Sequence, residues 1–250
     1  MRDRLRVENH RGVIVPRTLG LWLASAAVVS TVLVAWAQPD GPVGSAGWGA
    51  LSATLLVFAA GLTDDLASRG PRGIRGHLRA LGSGHVSSGI LKLVVITGSA
   101  VVAVALQGTG TAVVRLTGVV LIAGCANLWN GLDVRPGRAL KFALLAMIGL
   151  IGVPLRLLPT FPLVALGSVC ALRPDLRERA MLGDGGANLL GFTIGLGLFL
   201  VLPDAWVIVG AAAVVSLNVV AETSTLSRPI QGVAPLRWFD ALGRLPEGKT

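Results

Sequence analysis

The sequence predicts an all-α membrane protein, a bundle of about eight transmembrane helices forming a single domain over residues 1–250. Composition is the first observation, because 53% of the residues are hydrophobic and only 14% are charged, whereas soluble domains carry about 25% charged residues. The second observation is that the apolar residues form runs of the length that a membrane helix needs, roughly 17–25 residues. The third is an excess of 22 Lys and Arg over 13 Asp and Glu, which collects between alternate runs, as expected of cytoplasmic loops.

Eight apolar runs justify the helix count. They lie at about 18–37, 47–63, 88–107, 111–129, 139–155, 160–172, 188–203 and 205–221. The sixth run, FPLVALGSVCAL, is short for a span. Eight spans put both termini on the same side of the membrane. At the end of the first run, AWAQ (35–38) is similar to a signal-peptide cleavage site, but the apolar run before it is long for a signal peptide.

The basic residues orient the bundle. Only Arg115 and Arg156 lie on one side of the predicted membrane, and the other 20 Lys and Arg lie in segments 1–17, 63–92, 130–141, 173–184 and the tail. Because positive residues collect in cytoplasmic loops, both termini are predicted to be cytoplasmic. The candidate active-site loops are then about 63–87, 130–141, 173–187 and 222–250. Basic residues spread over short segments favour membrane lipids as partners and argue against nucleic acid.

Three polar motifs lie at the predicted cytoplasmic ends of spans. Asp64 and Asp65 follow the second span, NLWNGLD (127–133) ends the fourth, and MLGDGGANLLG (181–191) precedes the seventh. Each motif alone is typical of a solvated loop. Taken together they predict one site, because polar groups at span ends are costly unless they are paired or bind a metal.

The residue types in these motifs favour phosphate chemistry. Adjacent carboxylates at Asp64 and Asp65 repel each other unless a cation lies between them, and Mg²⁺ is typically held by one or two carboxylates together with substrate phosphates. The glycines of GDGG, including Gly186, allow the backbone to approach a phosphate at a helix N-terminus. With basic loops beside them, these features predict phosphoryl transfer to or from a lipid. The predicted cofactor is Mg²⁺, with Mn²⁺ as an alternative.

The three motifs, in this order, resemble those of the polyprenyl-phosphate N-acetylhexosamine-1-phosphate transferases, relatives of phospho-N-acetylmuramoyl-pentapeptide transferase. That family has Asp-Asp after a span, then Asn-x-x-Asp-Gly-x-Asp, then Gly-Asp-x-Gly-Ser-x-x-Leu-Gly; this chain has GLTDD, NLWNGLD and GDGGANLLG. The similarity runs from about Arg11 to the tail.

The resemblance implies an activity and a location. The activity is transfer of a sugar-1-phosphate, as N-acetylhexosamine-1-phosphate, from a UDP-sugar to undecaprenyl phosphate or a similar polyprenyl phosphate, with release of UMP. The location is the bacterial plasma (inner) membrane, with the site facing the cytoplasm, in cell-envelope glycan synthesis. The resemblance does not specify the sugar, the glycan pathway or whether the protein forms a homodimer.

The resemblance also implies roles for the motif residues. Asp184 is the expected metal ligand, and Asp64 and Asp133 help to bind the metal or the diphosphate. Asp65 is the second carboxylate, near the attacking lipid phosphate, so that Asp64, Asp65 and Asp133 are the candidate catalytic residues. Asn127 is expected to orient the substrate or a ligand carboxylate, and Asn130 to bind substrate.

Basic residues near the motifs have two interpretations each. Lys92 is either an anchor that extends to the membrane surface or a phosphate contact. Arg135 and Arg138 are candidate diphosphate contacts, although topology alone explains them almost as well. The tail segment PLRWFDALGR is either an interfacial amphipathic helix, which we favour, or part of the sugar-nucleotide pocket.

The chain departs from the family pattern at three places. Asn130 stands where the family has Asp, Ala187 replaces a Ser, and the family's His-rich loop near the C-terminus is missing. The histidines are His10, His77 and His85, of which the last two are predicted to be loop residues and not ligands. These departures support an alternative, a catalytically inactive relative that acts as a lipid-binding or scaffolding subunit.

Overall fold

A computed structural model describes residues 5–9, 11–37, 43–67, 82, 87–108 and 110–245. Within them the helices are α1 (Leu19–Ala37), α2 (Ser45–Leu66), α3 (Ser88–Gln107), α4 (Ala112–Leu132), α5 (Arg138–Ile148), α6 (Phe161–Leu176), α7 (Gly183–Val201), α8 (Asp204–Ser224), α9 (Ser227–Gly232) and α10 (Ala234–Ala241). A short antiparallel hairpin, β1 (Arg6–Glu8) and β2 (Ile14–Pro16), precedes them, with Val7 opposite Val15. The sequence did not predict this hairpin.

The fold is a helical membrane bundle, as the composition predicts. Six helices in the described part of the chain, α1 to α4, α7 and α8, are long and apolar enough to cross a membrane. The runs at 139–155 and 160–172 form α5, with 11 residues, and α6, with 16 residues. At 1.5 Å per residue an 11-residue helix spans only about half of the hydrocarbon core. Six spans are therefore supported, and the predicted count of eight is not confirmed.

Helix α7 lies at the centre of the bundle and contacts α1, α2 and α4. Within its apolar segment 78% of the residues are buried inside the protein, against 17% for α8. Glycines allow the close approach, since a Cβ added at Gly191 would lie 2.3 Å from the carbonyl oxygen of Cys125, and one at Gly195 would lie 2.8 Å from Cα of Ile122. Small residues at helix interfaces are the usual way in which membrane helices pack.

The first turn of α7 is held between α1 and α2 by similar contacts. A Cβ at Gly61 of α2 would lie 2.7 Å from the carbonyl carbon of Asp184, and a Cβ at Gly186 would lie 2.8 Å from Cα of Gly20 in α1. This packing brings the GDGG motif against the end of α2, where Asp64 and Asp65 lie. Gly186 itself is buried in the contact with α1.

Replacing Gly61 with Ala is expected to destabilise the protein by about 1–3 kcal/mol, because the added methyl group meets backbone atoms that cannot rotate away. Gly98 is the matched control: it lies inside α3, and a Cβ there has no neighbour within 4 Å among the described residues. Gly98→Ala should leave stability unchanged or raise it by up to about 1 kcal/mol. The measurement is the thermal unfolding midpoint of each variant in detergent, and equal midpoints for the two variants would contradict the packing described.

Candidate functional site

A lysine joins the carboxylates of the first and third motifs. Nζ of Lys92, in the second turn of α3, donates hydrogen bonds of 2.7 Å both to Oδ2 of Asp64 and to Oδ2 of Asp184. The two carboxylate oxygens therefore lie no more than twice that distance apart. Asp64 comes from the last turn of α2 and Asp184 from the first turn of α7. Three residues that the sequence predicted for the site thus meet at one end of the bundle.

Asp65 has a different partner. Its Oδ1 accepts a hydrogen bond of 2.9 Å from Nη1 of Arg17, and its Oδ2 accepts one of 3.2 Å from the backbone N–H of Gly185. The side chain of Asp65 is only 4% exposed. The bond to Gly185 directs the carboxylate to the positive end of the α7 dipole, which favours its charge. Asp65 therefore also orients the first turn of α7.

Arg17 is a site residue that sequence reasoning missed. It lies just before α1, where it was counted only as one of the positive residues that orient the bundle. Its partner is 48 positions away in the chain, and no local pattern links the two. The neighbouring carboxylates of Asp64 and Asp65 are therefore separated by being paired with two different cations, Lys92 and Arg17.

The cluster retains a negative charge. Asp64, Asp65 and Asp184 contribute three carboxylates, against the two cations Lys92 and Arg17. The site is thus one positive charge short of balance when all five groups are ionised. A further cation is favoured there, and a phosphate is favoured only together with one.

The donor set fits Mg²⁺ in chemical type. The carboxylates of Asp64 and Asp184 converge on one positive group, the ammonium of Lys92, and oxygen atoms of this kind are the ligands that Mg²⁺ takes. No group of three or more His, Cys, Asp or Glu side chains in the described part of the chain forms a metal-binding cluster. Two carboxylates are nevertheless enough, because protein-bound Mg²⁺ usually keeps waters and substrate phosphates as its other ligands.

The asparagines of the second motif make no described hydrogen bond to this cluster. Asn127 is exposed, and its Nδ2 donates a hydrogen bond of 2.6 Å to Oδ1 of Asn218 in α8. Oδ1 of Asn130 is buried and has no hydrogen-bond partner among the described residues. A buried acceptor without a partner costs about 1–3 kcal/mol, so Asn130 retains the capacity to bind a ligand or a water.

Asn188 was not singled out by the sequence, although it belongs to the third motif. Asn188 follows Asp184 by four residues in α7 and therefore lies on the same face of that helix. The side chain is fully buried, and neither its Nδ2 nor its Oδ1 has a hydrogen-bond partner in the described structure. Its spacing of four residues from Asp184 was the sequence signal that could have identified Asn188. Its carboxamide, like that of Asn130, is buried and lacks a described hydrogen-bond partner.

Asp133 lines a separate small cavity of about 190 Å³ together with Asp175 and Glu178. Burial raises the pKa of Asp133 well above its usual range, and the charges of Asp175, Asp184 and Asp65 raise it further, against a smaller opposing effect of Arg17. Asp133 is therefore within electrostatic range of the carboxylate cluster. None of the described hydrogen bonds joins it to Asp64 or Asp184.

The two predicted diphosphate contacts have different environments. Arg135 borders the Asp133 cavity and also a larger cavity of about 680 Å³. Arg138 is fully buried: its Nε and Nη2 donate to Oδ1 and Oδ2 of Asp240 at 2.8 and 2.9 Å, and its Nη1 donates to Oγ of Ser227 at 2.9 Å. The guanidinium of Arg138 is therefore engaged by the tail, and this geometry does not support a diphosphate contact at Arg138.

The tail packs against α5 through these contacts. Asp240 of α10 also pairs with Arg244, and Nζ of Lys141 donates to the carbonyl oxygens at the C-terminal end of α10, including that of Phe239 at 2.8 Å. Within α10 the side chain of Asp240 is buried and that of Phe239 is half-buried, whereas the other six residues are exposed, Trp238 by 66%. Most of the helix surface is therefore free to lie at a membrane interface, as the preferred interpretation of this segment expects.

Some predicted features lie outside the described residues. They are His10, His77, His85 and the basic residues Arg69, Arg72, Arg75 and Arg79 of the predicted loop at 63–87. Comparisons of the chain with family models, with curated proteins and with solved structures find no match. A functional assignment therefore depends on the three motifs and on the contacts described above.

Proposed function

We propose that this membrane protein is a polyprenyl-phosphate sugar-1-phosphate transferase that uses a UDP-sugar, with an N-acetylhexosamine as the expected sugar. The observation that supports this most is the pair of hydrogen bonds from Lys92 to Asp64 and Asp184. These bonds join the first and third motifs in a single cluster at the ends of two apolar helices. A lipid phosphate and a water-soluble donor meet at such a position, and the family with the same motif order carries out that reaction.

The reaction requires two anions to approach each other. An oxygen of the lipid phosphate forms a bond to the phosphorus that carries the sugar, and the bond from that phosphorus to the bridging oxygen of UMP breaks. A phosphate monoester has a second pKa near 6 and is mostly dianionic at pH 7, so the attacking oxygen needs no strong general base. The protein's task is therefore to position the two phosphates and to balance their charge.

The cluster residues divide this task. Asp64 and Asp184 would hold Mg²⁺, or Mn²⁺ in its place, and the bound metal neutralises the donor diphosphate. Lys92 supplies a positive charge beside these carboxylates for a phosphate oxygen. Arg17 and Asp65 fix the first turn of α7 and with it the position of Asp184. Asn130 offers a carboxamide oxygen without a described partner to a bound ligand. The site is expected to face the cytoplasm of a bacterial plasma membrane.

The test is donor turnover by the full chain in detergent. Purified protein is incubated with undecaprenyl phosphate, a panel of UDP-sugars and Mg²⁺ or EDTA, and UMP is quantified. Release of UMP from one donor, dependent on both the lipid and Mg²⁺, supports the transferase and identifies its sugar. Absence of UMP release from every donor, with protein that still unfolds cooperatively, contradicts it.

One observation favours a second candidate, the lipid-binding or scaffolding relative. The ammonium of Lys92 is already shared by Asp64 and Asp184, so an internal cation occupies the position between them. Asn130 also favours this second candidate, because it is neutral and stands where the family pattern has a carboxylate.

Replacing Asn130 with Asp separates the two candidates. In a transferase the added carboxylate is expected to lower the Mg²⁺ concentration that gives half-maximal UMP release by about tenfold, as changes near a metal site commonly do. The measurement is the UMP release rate over a series of Mg²⁺ concentrations, for the natural chain and the variant. A scaffold would release no UMP in either form, and a transferase with identical Mg²⁺ dependence in both would exclude Asn130 from the metal environment.

A further inference from the structure

The ammonium of Lys92 has the carboxylate ligands that a small bound cation would have. Its two hydrogen bonds with described residues go to Oδ2 of Asp64 and Oδ2 of Asp184, each at 2.7 Å. Lysine carries its charge as a compact point at the end of a flexible four-carbon stem. Rotation about the bonds of that stem is therefore enough to take the ammonium away from both carboxylates.

The second cation of the cluster is held more firmly. Nη1 of Arg17 donates both to Oδ1 of Asp65 at 2.9 Å and to the carbonyl oxygen of the same residue at 3.2 Å. The side chain of Asp65 is 4% exposed, whereas those of Asp64 and Asp184 are 20% and 36% exposed. Solvent thus reaches the carboxylates that Lys92 binds, and Lys92 is the cation of the two that can be exchanged.

Exchange for a divalent cation alone is unfavourable. Lys92 would lose two hydrogen bonds to charged groups, which are among the stronger ones in proteins. Its ammonium would then lie without a partner beside a second positive charge, and like charges at short range repel. Because the side chain of Lys92 is only 12% exposed, water compensates this loss poorly.

Exchange in the presence of a phosphate group does not have this cost. The divalent cation satisfies Asp64 and Asp184, and a phosphate oxygen gives the ammonium of Lys92 a new anion. Every charge that was paired before the exchange is then paired after it. The contacts of Lys92 therefore favour a cation and a phosphate together over either one alone.

We propose that Lys92 is an exchangeable internal counter-ion, which keeps the affinity of the free protein for divalent cations low and couples cation binding to phosphate binding. The proposal goes beyond a phosphate contact, because it assigns to Lys92 the order in which the site is filled. Only the identity of the phosphate, that of the lipid or that of the donor, rests on the proposed transferase function.

The first test is equilibrium binding of Mn²⁺ to the full chain in nanodiscs of phosphatidylcholine, followed by the electron paramagnetic resonance of free Mn²⁺. Lys92→Met removes the ammonium and keeps a long, flexible side chain. Arg115→Gln is the matched control, because it also removes one positive charge, is exposed and is predicted to lie on the opposite side. We expect the Kd for Mn²⁺ to fall at least about tenfold in Lys92→Met and to stay within about twofold in the control. An unchanged or higher Kd in Lys92→Met would overturn the proposal.

The second test measures the coupling. Adding undecaprenyl phosphate to the nanodiscs is expected to lower the Kd for Mn²⁺ at least about fivefold in the natural chain and less than about twofold in Lys92→Met. A parallel series uses UDP, with correction for the Mn²⁺–UDP complex in solution, and shows which source supplies the phosphate. No lowering by either ligand, or equal lowering in both proteins, would show that Lys92 does not couple the two sites.

A third measurement covers the stability of the variant. Without its shared cation the pair Asp64 and Asp184 is unbalanced, so Lys92→Met is expected to have a lower thermal unfolding midpoint in EDTA. Mg²⁺ should raise the midpoint of Lys92→Met more than that of the natural chain, because a ligand stabilises the folded state according to its affinity. A variant that remains unfolded in Mg²⁺ would contradict the exchange, since the cation then fails to replace the ammonium.

These readouts separate the counter-ion from the transferase. If Mn²⁺ binding depends on Lys92 and on phosphate as described, but no donor releases UMP, the counter-ion stands and the transferase fails. If UMP is released while the natural chain and Lys92→Met bind Mn²⁺ with the same Kd, the transferase stands and the counter-ion fails.

Discussion

Replacing Asp184 with Asn is expected to lower the rate of UMP release by about 10²- to 10³-fold, the range found when one charge-stabilising group is removed from an active site. The amide cannot pair with the ammonium of Lys92 as a carboxylate does, and it is a poorer ligand for Mg²⁺. The fold should survive, because Asn has nearly the same shape and the side chain of Asp184 is 36% exposed.

Asp204 provides the matched control for this variant. Like Asp184 it is an acidic residue in the first turn of an apolar helix long enough to span the membrane, but it is exposed and is predicted to lie on the opposite side. Asp204→Asn should leave UMP release within about twofold of the natural rate, as expected of a surface residue away from the site. Equal rates for both variants would remove Asp184, and with it the carboxylate cluster, from the reaction.

The second large effect is expected at Asp240. Replacing it with Ala leaves the guanidinium of Arg138 fully buried without its main partner, and breaking a buried ion pair in this way costs about 3–5 kcal/mol. The expected result is release of the tail from α5. It would be measured as faster proteolytic cleavage within the segment that follows Ala234, together with a lower thermal unfolding midpoint. The combined variant Arg138→Met/Asp240→Leu should recover part of the loss, because it removes both buried charges.

The effect of Asp240 should also depend on pH. Burial opposes ionisation of this carboxylate, but hydrogen bonds from Arg138 and Arg244 outweigh it and lower the pKa of Asp240 from 3.8 to about 2. A lowered pKa stabilises the folded protein fully above the unfolded pKa, and that stabilisation is lost as the pH falls through the folded pKa. The difference in unfolding midpoint between the natural chain and Asp240→Ala is therefore expected to shrink between about pH 5 and pH 2. A constant difference over that range would show that the ion pairs do not hold the tail.

Hydropathy was enough to predict the helices that cross the bundle. The run at 18–37 corresponds to α1 (Leu19–Ala37) and the run at 88–107 to α3 (Ser88–Gln107), because the length of an apolar run directly reflects the thickness of the membrane core. The same signal predicted a span at 139–155 that is not confirmed, because α5 ends at Ile148 and Gly149, Gly152 and Pro154 follow it although the composition stays apolar. In such a segment, the positions of helix-breaking residues determine the length of the helix more than the average hydropathy does.

The site was only partly predictable for a different reason. Asp64 and Asp184 could be grouped because each belongs to a motif with its own chemical pattern. Lys92 had two equally good interpretations, and the choice between them depends on a contact 92 positions away. Arg17 carried no local signal, and Arg138 was predicted as a diphosphate contact and not as the partner of Asp240, since a basic residue near the end of a span has the same sequence context whether it faces water or a carboxylate.

Formation of a lipid-linked product tests the transferase assignment most directly. The full chain is reconstituted in vesicles with undecaprenyl phosphate, supplied with the UDP-sugar that gave UMP release, and the lipid fraction is analysed by mass spectrometry. We expect one undecaprenyl diphosphate sugar for each UMP released, in the natural chain and the Asp204→Asn control but not in Asp184→Asn. UMP without the lipid product, or the lipid product in undiminished amount from Asp184→Asn, would contradict a sugar-1-phosphate transfer at the cluster of Asp64, Lys92 and Asp184.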